Sequence, residues 1–278
     1  MSVADALVWT SEFRSPRNSA AEVKGSIHDD ATASKLGFRG GTVAGSIHMD
    51  QFVPGLLKLY GDGWFETGGL SLYFTKATTD AEPVKASVEA GADRARLTMH
   101  DVPGDQICEG TGSLGPDAGS ELARRIETQA QAAPGALRIL KDIAVGEEHR
   151  DIAVRVEAAD LLRSLETLTE PLPAYRDGLV LPPSHLIRLT HQHVRKHVVG
   201  KAGASVGLFG ALETQALAGP LKAGVDYVAR TKMLKLTESP KTENAWYEVL
   251  VADQDGRDLA RVVYYLRFMK ASSPLWAS

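Results

Sequence analysis

Hydrophobic positions in the first half of the chain predict one buried helix followed by several strands. Residues 45–60 carry apolar side chains around most of the circumference of a helix, so we expect burial on most sides. Pro54 lies within this segment, and because proline lacks a backbone donor, we expect a kink or a break there. Runs of β-branched and aromatic residues separated by turn signals then predict strands at 70–76, 83–90, 94–100 and 105–114.

The second half repeats this order of elements. A helix is predicted from Ser184 to Val199, because prolines precede Ser184 and its hydroxyl can cap the helix. A glycine-rich bend and a second short helix at about 206–218 are expected to follow. Strands are then predicted at 225–237, 243–252 and 258–269.

The repeated order indicates two related domains. A D-x-x-G turn lies between two predicted strands in each half, at 101–104 and at 253–256. A sheet with one apolar face must cover it, and wrapping each sheet around its own helix does so. We therefore predict an α+β fold with an N-terminal domain at 1–128 and a C-terminal domain at 136–278. Residues 115–135, which are rich in Gly, Pro and Ala, are the expected linker.

Composition narrows the class of protein. The 278 residues carry a net charge of −4 and no basic run stands out, so we expect no nucleic-acid partner. The single cysteine, Cys108, cannot form an intrachain disulfide, which fits a reducing compartment. The N-terminus lacks the pattern of a signal peptide, and no run reaches the roughly 18 apolar residues of a membrane span. We therefore expect a soluble, cytoplasmic protein.

One polar, glycine-rich stretch, residues 27–48, combines groups that can act on an acyl carbonyl. His28 can move protons near neutral pH, and Asp29 and Asp30 follow it directly. A glycine-rich turn then leads to Gly45, where a helix start presents unpaired backbone N–H groups that favour negative charge. A proton-moving group and an oxyanion donor together form a minimal acyl-handling site. The alternative is a surface loop followed by an ordinary capped helix.

Three further side chains are candidates for lining a substrate pocket. His48 and Asp50 lie in the first turns of the central helix, where the alternatives are a partly buried, hydrogen-bonded histidine and an acid favoured by the helix dipole. His191 lies on the apolar face of the second helix, where the alternative is a satisfied core histidine.

His193 and His197 are four residues apart, but no Cys or carboxylate stands at ligand spacing, so no metal is predicted. Neither a dinucleotide-binding fingerprint nor a phosphate loop occurs, so no cofactor is expected.

This order of elements resembles the MaoC-like hydratase and dehydratase family in its double-hotdog form, in which two antiparallel sheets each wrap round a central helix. His28 stands six residues before Ser34, as the catalytic histidine of that family stands before an alanine or serine. Residues 37–45 take the place of the family's glycine-aromatic turn into the central helix. The resemblance implies that His28 is the general base or acid and that the Gly45 N–H holds the thioester carbonyl oxygen.

The sequence departs from that family around its catalytic histidine. Val23 stands where the family has an aspartate, residues 25–26 replace an Asn-Pro pair, and Ala44 replaces a histidine. The carboxylate–histidine dyad is therefore incomplete in sequence. We expect one of the two following carboxylates, Asp29 or Asp30, to support the histidine.

The resemblance implies a hydratase or dehydratase that acts on an acyl thioester, either enoyl-CoA or 3-hydroxyacyl-CoA or a carrier-bound equivalent. Coenzyme A enters as part of the substrate. One alternative is an acyl-CoA thioesterase that uses Asp50. Another is a non-catalytic acyl-thioester-binding protein, which the departures at Val23 and Ala44 favour. A homodimer of double hotdogs is an assembly that the resemblance allows.

Overall fold

The computed structural model describes residues 7–277, and their strands form one antiparallel sheet. The strands are β1 (Val8–Thr10), β2 (Gly68–Phe74), β3 (Val84–Glu89), β4 (Ala95–Asp101), β5 (Gln106–Leu114), β6 (Glu148–Val154), β7 (Gly207–Ala216), β8 (Tyr227–Glu238), β9 (Thr242–Ala252) and β10 (Asp258–Met269). Their order across the sheet is β1-β3-β4-β5-β2-β7-β10-β9-β8-β6. The first five strands therefore lie on one side of the junction between β2 and β7, and the last five lie on the other.

Helices pack against each half of this sheet. They are α1 (Asp30–Lys35), α2 (Gly45–Asp50), α3 (Val53–Tyr60), α4 (Trp64–Thr67), α5 (Glu121–Thr128), α6 (Ala158–Ser164), α7 (Pro173–Arg176) and α8 (Pro183–Val198), with short 3₁₀ turns at Leu165–Thr167, Lys270–Ser272 and Pro274–Trp276. In the first half, α2 packs against β2, and α3 packs against β1 and β3. In the second half, α8 packs against β6, β7, β8 and β9. None of the helices within 7–277 is both long and apolar enough to cross a membrane.

The two halves meet along the middle of the sheet. β2 pairs with β7 from Gly69 opposite Gln215 to Tyr73 opposite Ala211. The sheet thus continues from the strands of the predicted N-terminal domain (1–128) into those of the predicted C-terminal domain (136–278). The exact bounds of the two domains stay a prediction. The helices α2 and α8 also contact each other, so the two helix layers share an interface.

The central helix of the first half is interrupted, as the proline in it predicts. α2 ends at Asp50 and α3 begins at Val53, which places Pro54 in the first turn of α3, where its missing N–H costs no helical hydrogen bond. Four apolar side chains between Gly45 and Tyr60 are fully buried, namely Met49, Phe52, Val53 and Leu56. Each contributes about 1.5–3 kcal/mol by leaving water, so this broken helix is the hydrophobic centre of its half.

The helix expected at about 206–218 is wrong, because this segment is the strand β7. Its alanines, leucines, glutamate and glutamine favour a helix locally, but β7 pairs with β2 on one edge and β10 on the other. Two rows of interstrand hydrogen bonds outweigh that weak local preference. A Cβ at Gly210 would lie 2.5 Å from the Arg267 Nε, so the strand also needs a glycine there.

The expected linker at 115–135 needs a second correction. It contains α5, whose N-cap Ser120 accepts a hydrogen bond from the Ala123 amide. Leu122 of this helix is buried in a small cluster with Trp246 and Tyr265 on the outer side of the sheet. The segment therefore packs against the sheet and is not an extended linker between two domains.

Candidate active site

The structure holds His28 by its backbone and by one ring nitrogen. The Asn18 side chain donates to the His28 carbonyl at 2.8 Å, and the ring Nδ1 lies 2.7 Å from the Thr42 carbonyl oxygen. A carbonyl oxygen can only accept, so Nδ1 carries the proton in this contact. In the neutral ring, Nε2 then presents its lone pair, which is what a general base requires.

The two neighbouring carboxylates do not support this imidazole, contrary to expectation. The Asp29 carboxylate accepts from the Thr32 hydroxyl at 2.8 Å, and that bond holds the Asp29 pKa below its usual range. The Asp30 carboxylate accepts from the Gly41 amide at 2.6 Å. Each carboxylate is occupied by a donor other than the imidazole, the Thr32 hydroxyl for Asp29 and the Gly41 amide for Asp30. The Thr42 carbonyl occupies the supporting position instead.

Gly45 begins α2, as the sequence predicts, and only a glycine fits there. A Cβ at this position would lie 2.7 Å from Phe74 Cε2, which is closer than real side chains approach. The Thr42 amide donates to the Ile27 carbonyl at 2.9 Å, so both backbone polar groups of Thr42 bind the segment that carries His28. Thr42 and Gly45 are three residues apart, so their Cα atoms are separated by at most about 11 Å. The fold therefore keeps the His28 imidazole close to the start of α2.

His48 lies inside the same region and is buried. Its Nε2 is 2.9 Å from the Thr78 hydroxyl, whereas its Nδ1 has no hydrogen-bond partner among residues 7–277. Burial lowers the His48 pKa to about 4, so the ring is neutral at neutral pH. The Thr42 hydroxyl is likewise buried with no partner in the described chain. Two unpaired polar atoms thus lie around the start of α2.

Asp50 sits between the two central helices. One carboxylate oxygen accepts from the Ser184 amide at 2.9 Å, which caps the first turn of α8, and the other has no partner within 7–277. Burial raises the Asp50 pKa to about 7, although the bonds from Ser184 oppose this. The Tyr175 hydroxyl is also buried without a partner in the described residues, and the Asp50 charge adds to the burial that raises its pKa. Sequence reasoning missed Tyr175 and the capping role of Asp50, since both depend on contacts between the halves.

His191 belongs to the second half of the molecule. Its ring meets Phe209 edge-on with centroids 5.1 Å apart and lies 5.9 Å from the Tyr264 ring. Burial lowers its pKa to about 4, and its Nδ1 has no partner within the described chain. These aromatic contacts are all with second-half residues, so they do not bring His191 to His28.

An apolar cavity of about 50 Å³ lies at the junction of the halves. Its walls include Trp64, Phe65, Leu181, Pro183, Leu186 and Leu221. Neither His28 nor Gly45 lines it. Residues 7–277 contain no group of three or more His, Cys, Asp or Glu side chains that could hold a metal ion.

Comparisons with known proteins extend this description of the fold. No family model and no curated protein sequence matches the chain. Among solved structures, it is similar to a protein described as a MaoC domain dehydratase from Chloroflexus aurantiacus J-10-fl, with 10% identity, 96% of each chain covered and a TM-score of 0.63. It is also similar to Rv0216 from Mycobacterium tuberculosis, a double-hotdog protein, with 12% identity, 96% and 97% covered and a TM-score of 0.62.

A third solved structure, named a MaoC-like dehydratase, gives a TM-score of 0.56 at 13% identity over 94% of this chain and 97% of its own. These likenesses cover nearly the whole length of each chain, while the identities are too low to carry an activity. The predicted resemblance is therefore confirmed at the level of architecture, and the chain is a double-hotdog protein that shares its fold with solved MaoC-like dehydratases.

Proposed function

We propose that this protein adds water to an enoyl thioester, or removes it from a 3-hydroxyacyl thioester, with His28 moving the protons. The observation that carries the proposal is the contact between His28 Nδ1 and the Thr42 carbonyl. It orients the ring, selects the tautomer with a basic Nε2, and ties the ring to the turn that opens α2.

The chemistry needs one proton acceptor and one oxyanion donor. In hydration, His28 Nε2 takes a proton from water while the water oxygen bonds to the β-carbon of the enoyl group. The electrons of the double bond move onto the thioester carbonyl, and the Gly45 N–H at the start of α2 stabilises the resulting oxyanion. The imidazolium then returns its proton to the α-carbon, so that water has been added across the double bond. Dehydration follows the same steps in reverse.

The Thr42 carbonyl takes the place of the carboxylate that Val23 does not provide. A neutral carbonyl dipole stabilises an imidazolium less than a full negative charge does. We therefore expect slower turnover than a complete dyad would give, with the same proton path.

The test is a steady-state assay with trans-2-enoyl-CoA substrates of several chain lengths, following loss of the conjugated enoyl absorbance. The wild-type protein should hydrate at least one substrate, and His28→Ala should reduce kcat by about 100-fold or more. His100→Ala, which removes another half-buried imidazole on β4, is the matched control and should leave kcat unchanged. No hydration at any chain length would refute the proposal, and so would equal activity in His28→Ala.

The same assay separates the two alternatives. A thioesterase would release free thiol, and Asp50→Asn would abolish the release. The geometry favours hydration, because one Asp50 oxygen is held by the Ser184 amide inside the helix interface. Calorimetric binding of an acyl-CoA without turnover would identify a binding protein. Matched coenzyme A and carrier-protein thioesters would show which one carries the substrate, and sedimentation would test the homodimer.

A further inference from the structure

A chain of polar side chains runs from the surface of the second half to the helix interface. At the end of α6, the Ser164 hydroxyl contacts His185 Nε2. On the other side of the ring, His185 Nδ1 is 3.2 Å from the Ser184 hydroxyl. The Ser184 amide donates to the Asp50 carboxylate at 2.9 Å. The four residues therefore form one connected series, Ser164–His185–Ser184–Asp50.

Burial along this series falls toward Ser164. Asp50, Ser184 and His185 are each less than one-tenth exposed, whereas Ser164 is half-buried and so reaches solvent. Burial, assisted by the nearby Arg188 charge, lowers the His185 pKa to about 4. The ring is therefore neutral at neutral pH. In the tautomer that carries the proton on Nδ1, facing the Ser184 hydroxyl oxygen, Nε2 offers its lone pair to the Ser164 hydroxyl.

We propose that Ser164 is a nucleophile that His185 activates to accept an acyl group from a carboxylic ester. A serine hydroxyl is a weak nucleophile until an oriented base takes its proton, and a third group must hold that base. Here Ser184 holds the base through Nδ1, and Asp50 in turn holds Ser184. Ser164 is the catalytic residue of this site, and Ser184 and Asp50 are positioning residues.

The proposed step balances without any cofactor. Ser164 Oγ forms a bond to the ester carbonyl carbon while its proton moves to His185 Nε2. The bond from that carbon to the leaving alcohol oxygen breaks, and the His185 proton goes to this oxygen. Water then attacks the acyl-serine, His185 takes the water proton and returns it to Ser164 Oγ, and a carboxylic acid leaves.

A second acceptor competes for the Ser164 proton. The Ser164 hydroxyl lies 2.6 Å from the Leu161 carbonyl, three residues earlier in α6. The same geometry recurs at Ser272, whose hydroxyl lies 2.7 Å from the Met269 carbonyl and which is also half-buried. Ser272 has no histidine contact among the hydrogen bonds of the described residues, so it isolates the contribution of His185.

The experiment is labelling with a fluorophosphonate, which reacts with activated serines, followed by peptide mass spectrometry and a p-nitrophenyl ester assay. Ser164 should be labelled about 100-fold faster than Ser272, the range that a positioned base contributes. Ser164→Ala should lose the label and the ester hydrolysis, while Ser272→Ala should keep both. His28→Ala should also keep both, which separates this site from the proposed hydration site.

Two further variants address the base. His185→Gln should slow the labelling of Ser164 to the rate of Ser272. Because His185 is buried, its replacement can unfold the region, and Ser184→Ala provides a second test. This variant keeps the hydrogen bond from the backbone amide of residue 184 to Asp50 and removes the hydroxyl that contacts His185 Nδ1. It should slow the labelling by about 10-fold or more while near-ultraviolet circular dichroism stays unchanged. Equal labelling of Ser164 and Ser272 in the wild type overturns the proposal, as does undiminished labelling in a folded Ser184→Ala protein.

Discussion

Asp50 should make the stability of the wild-type protein fall as pH rises, and replacing it by asparagine should remove this contribution. Asp50 is buried between α2 and α8, and burial raises its pKa to about 7 from an ordinary value of 3.8. Between these two pH values the folded protein keeps a proton that the unfolded chain releases. The free energy of unfolding of the wild type therefore falls as pH rises through this window.

The size of the effect follows from the two pKa values. The difference between 3.8 and about 7 corresponds to about 4 kcal/mol. Above pH 7, where Asp50 is ionised in both states, the free energy of unfolding is lower by this amount than at low pH. Asparagine keeps an oxygen acceptor for the Ser184 amide but adds a buried N–H₂ group, which costs about 1–3 kcal/mol if unpaired. At pH 8 we therefore expect Asp50→Asn to be more stable than the wild type by roughly 1–3 kcal/mol. Between pH 8 and pH 5 this advantage should shrink by about 3 kcal/mol.

The assay is urea unfolding, followed by tryptophan fluorescence, of both proteins at pH 5 and pH 8. Asp101→Asn is the matched control, because Asp101 is also buried but its salt bridge to Lys76 at 2.5 Å lowers its pKa. Its folded and unfolded pKa values both lie below pH 5, so its loss of stability should be the same at the two pH values. An Asp50→Asn effect that is equally independent of pH would refute the reasoning about burial.

Other predictions concern the site and the core. Gly45→Ala should cost about 1–3 kcal/mol and lower hydration activity, because its Cβ would meet the Phe74 ring at 2.7 Å, and Phe74→Leu in the same chain should restore much of the stability in thermal unfolding. Leu56→Ala should lower the free energy of unfolding by about 2–5 kcal/mol in urea titrations, since that side chain is fully buried, and a smaller loss would mean that the core collapses around it. Ser120→Ala should cost about 1 kcal/mol by removing the cap of α5, and hydrogen exchange should rise at the Ala123 amide; unchanged exchange there would contradict the capping role.

Much of the architecture could be predicted from periodicity and turn signals. The strands β2 to β5 and β8 to β10 lie where β-branched and aromatic runs predict them, within a few residues. The helix α8 and the break beside Pro54 follow from local rules about proline, but the predicted cap is wrong: α8 begins at Pro183, and the Ser184 hydroxyl contacts His185 and does not cap the helix. These features depend on neighbours in the chain, which the sequence contains directly.

The predictions that were wrong concern segments whose secondary structure depends on residues far away in the sequence. β7 has a helix-favouring composition and becomes a strand because β2 and β10 pair with both of its edges. The expected linker contains α5, because Leu122 finds an apolar surface on the outer side of the sheet. A local pattern cannot report on either contact, since the partners lie far away in sequence.

The candidate site divides in the same way. The sequence by itself placed His28 in a glycine-rich loop and Gly45 at the start of a helix, because both follow from residue type and spacing. Only the tertiary structure decided what holds His28, which is the Thr42 carbonyl and neither of the adjacent aspartates. It also decided that Asp50 caps α8 across the helix interface. Hydrogen-bond partners and burial are properties of the packed chain, and they set the proton affinity and orientation on which any chemistry here depends.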